Sequence, residues 1–176
     1  INKFDPKTAS IAHQVIVKNT RQWLDQMVVG LNLCPFSSGV ISQDQVHYAI
    51  CDATRDTDLK QFYVTELERL LDADENDIAT SLLIFTQGFE IFDDYLDLLD
   101  WCEQLLEQAD LIEHLQLASF HPRYQFEGVP VDDLSQFTNR APYPTIHILR
   151  QAHLSRALAH VSEPEKIYAE NTKTLN

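Results

Sequence analysis

The chain has 176 residues, a formal charge of −14 and 44% hydrophobic residues, including two Trp, six Tyr and nine Phe. That length fits a single domain, 1–176, burying roughly two-thirds of its unfolded surface. Four Gly and seven Pro exclude a fibrous or low-complexity chain, and the acidity argues against nucleic acid, whose phosphates such a surface repels.

The charge is unevenly spread. Leu70 to Pro122 holds thirteen Asp and Glu and no Lys or Arg, whereas Arg123 to Arg156 holds four Arg and no Lys. The acidic stretch reads as a solvated face, and as the docking surface if the partner is a basic protein. The arginines present planar forks suited to carboxylates and phosphates, so a small anionic molecule is the other partner to consider. No apolar run approaches the ~20 residues of a membrane span, and Ile1 to Ser10 lack the features of a secretory signal. The three cysteines, Cys34, Cys51 and Cys102, form no C-x-x-C pair. A sparse set of thiols suits a reducing cytoplasm, which is the expected location.

In chain order, Asp5-Pro6 reads as a helix start, and Ala12, Ile16, Trp23, Met27 and Leu31 recur at helical spacing to about Val29, with Gly30 as terminator. A turn follows at Asn32-Leu33-Cys34-Pro35-Phe36. Val46 to Ala53 is a strand. Asp56 or Thr57 caps a helix whose apolar face runs through Leu59, Phe62, Tyr63, Leu67 and Leu70. Ser81 to Phe85 is continuously apolar, as in a strand covered on both faces. Asp93 or Asp94 caps a third helix, and Leu115 to Phe120 is the third strand. Residues 121 to 141 carry turn chemistry without a period. Pro144 to about His160 reads as helical, and Ser162-Glu163-Pro164-Glu165 as a capping box opening a last helix.

Strand, helix, strand, helix, strand implies two right-handed crossovers and parallel strands. The expected fold is therefore α/β: a small, mostly parallel sheet of three or more strands with packed helices, a long Pro/aromatic loop and C-terminal helices. An antiparallel edge strand after residue 126 stays open.

Ligands of such sheets bind beyond the carboxyl ends of the strands, here Cys51-Asp52, Thr86-Gln87 and Phe120-His121. Four of the seven Pro fall between His121 and Pro144, which stiffens that loop. Within it, His121 is the candidate acid or base, or else a ring that orders the loop. Asn139 and Arg140 would hold an anion, or tie the loop to backbone carbonyls. His147 and Arg150, three apart on the expected helix, would share a face, and Tyr124 would wall the pocket. Cys34, in a turn, is the candidate nucleophile if a base such as His121 or His147 lies beside it. Cys51 and Cys102 read as small core residues. Cys34, His121 and His147 are too widely spaced to read as a metal site. Phosphate-loop, dinucleotide, nucleophile-elbow and zincin motifs are absent, so no cofactor is named.

Leu31-Asn32-Leu33-Cys34-Pro35-Phe36, His121-Pro122-x-Tyr124-Gln125-Phe126 and Thr138-Asn139-Arg140-Ala141-Pro142-Tyr143-Pro144 together resemble an uncharacterised bacterial family, the domain of unknown function numbered 1415. The resemblance covers nearly the whole chain, from Trp23 to Glu163-Pro164. It implies a small soluble bacterial protein and brings no established activity, substrate or cofactor, so no residue role is carried over. Ala141 stands where the motif has Ser. Three readings remain: an enzyme or small-molecule-binding protein acting on a small anionic ligand at the His121–Arg150 region, a non-catalytic interaction module using the acidic surface, and a thiol-dependent activity at Cys34.

Overall fold

A computed structural model describes residues 9–31 and 37–159. The Asp5-Pro6 start, Cys34 with its turn, and the 162–165 capping box lie outside the described residues. Helix α1 (Ile11–Trp23) opens at Ser10, whose hydroxyl accepts from the His13 N–H, and continues as a six-residue π-helical turn, Leu24–Val29. Gly30 ends it as expected; a Cβ there would stand 2.4 Å from the Gln26 carbonyl oxygen, so the tight exit needs glycine. Then follow α2 (Ser37–Ser42), β1 (Val46–Cys51), α3 (Asp56–Asp72), β2 (Thr80–Phe85), α4 (Phe92–Gln108), β3 (Leu115–Phe120), a 3-10 turn (Leu134–Thr138), β4 (Thr145–Arg150) and α5 (Gln151–Leu158). The caps of α3 and α4 are Arg55 and Ile91. The expected aspartates instead occupy the first turns, where they oppose the positive end of the helix dipole.

The sheet order is β1-β2-β4-β3. Only β1 and β2 pair in parallel; β4 is antiparallel to both β2 and β3. The fold is α/β with a four-stranded mixed sheet, mostly antiparallel, and the expected mostly parallel sheet is corrected. The reason is β4. Thr145-Ile146-His147-Ile148-Leu149-Arg150 alternates between two buried faces and runs straight into α5 without a turn residue, so its period merges with that of the helix behind it. Inserted between β2 and β3, it separates strands that the crossover rule would have paired. It also overturns the helical placement of His147 and Arg150. Three apart on a strand, they point to opposite faces of the sheet.

Because β4 opposes both neighbours, β1, β2 and β3 still run in one direction, and their carboxyl ends share an edge with the start of β4. On one face Leu83, Phe85, Ile146 and Ile148 meet α3 and α4 in a core holding Tyr63, Leu70, Tyr95 and Cys102. On the other, Tyr48, Leu82, Ile84 and Leu149 meet α1 and its π-helical turn through Val17, Trp23, Leu24 and Val28. No helix among the described residues is long and apolar enough to cross a membrane.

Candidate functional site

At the shared strand edge lies a cleft of about 180 Å³, lined by Phe85, Thr86, Gln87, Phe89, Glu90, His121, Pro122, Arg123, Tyr143 and Pro144. It is where the sheet geometry leads one to look, since side chains there escape the ladder while their backbone remains fixed by it. Tyr143 is tied to α1 by its hydroxyl, which accepts from Asn19 Nδ2 at 2.9 Å.

His121 lies in the wall at 1% exposure. Its Nε2–H donates to the Phe89 carbonyl (2.8 Å) and its Nδ1 accepts from the Arg123 N–H (3.0 Å). The ring packs against Phe92 and Tyr95. Burial, helped by the Arg123 charge, pushes its pKa down, while the bond to the Phe89 carbonyl works against this. Both nitrogens of a neutral imidazole are thus engaged by backbone, which matches the loop-ordering alternative for this residue.

The other loop residues are wired inward. Asn139 donates from Nδ2 to the Ser119 carbonyl, and its own carbonyl accepts from the His121 N–H. Arg140 donates to the carbonyls of Tyr124 and Val131 and lies 4.7 Å above the Phe137 ring. Tyr124 is within 3.2 Å of Ser119 Oγ and packs on Phe92 and Phe126. Gln136 is the hub that sequence reasoning missed. Fully buried, it accepts from the Phe126 N–H and donates to the Pro130 carbonyl. Its composition is ordinary, and only its position marks it.

Arg150 sits on the α3 face, donating to the carbonyls of Leu70, Ala73 and Ile78, where it caps the end of α3 and the bend into β2. His147 faces the α1 side and lines a separate cavity. Asn139, Arg140, His147, Arg150 and Tyr124 therefore do not line the cleft with His121. Cys51 and Cys102 are buried, and burial raises both thiol pKa values, as expected of core cysteines.

What does face the cleft is Arg123. Its guanidinium donates to the Glu90 carbonyl and pairs with no carboxylate among the described residues. By contrast Arg21, Arg55, Lys60, Arg69 and Arg156 each hold one. Thr86 connects the cleft to a second group. Its hydroxyl lies 2.6 Å from Asp52 Oδ1, and Asp52 Oδ2 is 2.7 Å from His13 Nε2. The Thr86 bond, then the His13 bond, hold the Asp52 carboxyl below its usual pKa. A carboxylate accepting from Nε2–H leaves Nδ1 of His13 with its lone pair. Asp52 and Thr86 lie at strand ends marked by sequence; His13 is an ordinary helix residue whose role appears only when α1 packs over the sheet.

A second histidine cluster invites comparison. His47 Nε2 is 3.0 Å from Glu66 Oε2, and Ser81 pairs in register with His47. Among the described residues, His47 Nδ1 and Ser81 Oγ lack partners. The trio has the residue types of a hydrolytic triad, but Ser81 is 0% exposed, so no substrate reaches it. On α4 the acidic stretch displays Asp93, Asp94, Asp97, Asp100, Glu103 and Glu107 to solvent.

Over residues 15–176 the chain matches the family described as proteins of unknown function, DUF1415. The chain belongs to that family. No curated protein and no solved structure matches it. Within this DUF1415 protein, the motif residue Ala141 is buried in the core on the α1 face, 7% exposed, where a Ser hydroxyl would need a hydrogen-bond partner.

Proposed function

We propose that this DUF1415 protein binds a small anionic molecule in the cleft at the strand ends, with Arg123 as the anchoring cation and Thr86, Gln87 and Tyr143 supplying polar contacts. The observation that carries this reading is Arg123. It is a guanidinium beside a concave site in a strongly acidic chain, with no carboxylate to neutralise it among the described residues. A fork of this kind binds carboxylate or phosphate bidentately. His121 shapes the wall through its backbone bonds. His13, held by Asp52, is joined to the cleft through the Thr86 hydroxyl. Glu90, also on the wall, disfavours multiply charged anions and so favours a ligand that carries a donor as well as its negative group.

The test is a thermal-shift screen of small carboxylates and phosphate esters on wild type, Arg123→Ala and Arg140→Ala. A ligand present at 100 times its Kd stabilises by about 2.7 kcal/mol, or roughly 5–11 °C in Tm for a chain of this size. The shift is expected in full in wild type and Arg140→Ala and at about half that size or less in Arg123→Ala. If no anion shifts wild type, or if Arg123→Ala retains the full response, the reading fails.

A further inference from the structure

The sheet face under α1 holds an arrangement of different chemistry. Thr80 Oγ1 lies 2.6 Å from the Ile148 carbonyl oxygen and 2.6 Å from His147 Nε2. A hydroxyl has one hydrogen and a carbonyl has none to give. Thr80 therefore donates to Ile148, and the imidazole Nε2–H donates to Thr80. The tautomer follows: Nδ1 of His147 carries a lone pair, and no described group bonds it.

That ring lines a cavity of about 60 Å³ whose remaining walls are apolar apart from Thr80, among them Trp23, Leu24, Val28 and Val40. The indole N–H of Trp23 is already donated to the Arg140 carbonyl. The described wall therefore holds two side chains with a spare acceptor lone pair, His147 at Nδ1 and Thr80 at Oγ1, and no spare donor. Left dry, the cavity would hold an unsatisfied acceptor. Filled by water, it would offer two acceptors and no free donor where a buried water makes about three bonds. A molecule with an apolar body and a single donor satisfies both the wall and the acceptor. The π-helical turn Leu24–Val29 forms one side, and wide turns of this kind recur at functional sites because they displace side chains from the ordinary helical face.

We propose that this cavity is a second binding site, taking the hydroxyl-bearing end of a small, neutral, largely apolar molecule anchored on His147 Nδ1. It shares no wall residue with the strand-end cleft and does not depend on it. The volume is under half of the ~150 Å³ cavity that admits benzene, which limits the inserted group to about three or four heavy atoms.

Two probes of equal size decide the matter: 2-propanol, which has a donor, and acetone, which only accepts. Each is titrated into the whole chain with methyl-labelled Leu and Val, observed by NMR. Saturable shifts are expected at Leu24, Val28 and Val40, with 2-propanol binding about tenfold more tightly than acetone. His147→Leu is expected to abolish that preference. Val28→Phe, which fills the space and leaves the Thr80 bonds intact, is expected to abolish both titrations and guards against a His147→Leu chain that does not fold. Equal affinity for the two probes, shifts that do not saturate, or a preference that survives either substitution would overturn the proposal.

Discussion

The strand-end cleft and the cavity beneath the π-helical turn each contain a histidine, in opposite situations. In the cleft, His121 is spent: both nitrogens serve backbone groups, and the wall draws its charge from Arg123. In the cavity, His147 uses one nitrogen on Thr80 and keeps the other. Burial holds both pKa values down, to about 4 for His147. A perturbed pKa therefore does not by itself tell a working imidazole from a structural one. What separates them is whether a lone pair remains after the backbone has been satisfied.

The sharpest way to break that contrast is His121→Ala. It strands the Phe89 carbonyl and the Arg123 N–H and opens a hole beside Phe92 and Tyr95. A loss of about 3 kcal/mol is expected, a fall in Tm of roughly 6–12 °C. A variant that melts with wild type would return His121 to the list of free catalytic groups.

Next is pH. For His147, whose folded pKa is about 4 against an ordinary 6.5, the unfolded chain takes up a proton below about pH 6.5 that the folded chain refuses. Stability is then complete above that pH and declines as pH falls toward 4, by about 2 kcal/mol at pH 5. His121 adds to the loss in the same direction. Urea denaturation at pH 7 and pH 5 measures the total. His147→Leu should remove its share and leave that of His121, and an unchanged pH slope in that variant would mean that His147 is not the group titrating.

Arg123→Ala and Arg140→Ala should then divide cleanly. Arg140 holds two loop carbonyls, so its loss is expected to cost about 1–2 kcal/mol without specific effect on anion binding. Loss of the exposed Arg123 should leave stability within about 0.5–1 kcal/mol while weakening anion binding at least tenfold by calorimetry. The smallest effect belongs to Asp52→Asn. Asp52 is half-exposed and its folded pKa is lowered. Its contribution, no more than about 0.5 kcal/mol, is present above the unfolded carboxylate range and disappears as pH falls through the folded pKa. The wild-type and variant melting curves should converge in acid.

Much of the molecule was legible in its residues. The strands Val46–Cys51, Thr80–Phe85 and Leu115–Phe120 were readable because buried strands write continuous or alternating apolar runs. The helices at 56 and 92 were readable because their apolar positions recur every three or four residues. Cys51 and Cys102 were recognisable as core from the same patterns. The strand ends at Thr86 and His121 were recognisable as the edge where a cleft opens, since that inference needs only strand direction, which β4 leaves unchanged.

The sequence by itself determined β1, β2, β3 and the helices α1, α3 and α4, their covered faces and the edge where a cleft would open, all of which follow from local periodicity. Tertiary structure alone decided the rest. It put β4 between β2 and β3, turned His147 and Arg150 to opposite faces, spent Arg140 on loop carbonyls and brought His13 to Asp52 across 39 positions. Each of these depends on which groups remain unsatisfied after distant segments pack, and no local pattern records hydrogen-bond partners so far apart in the chain.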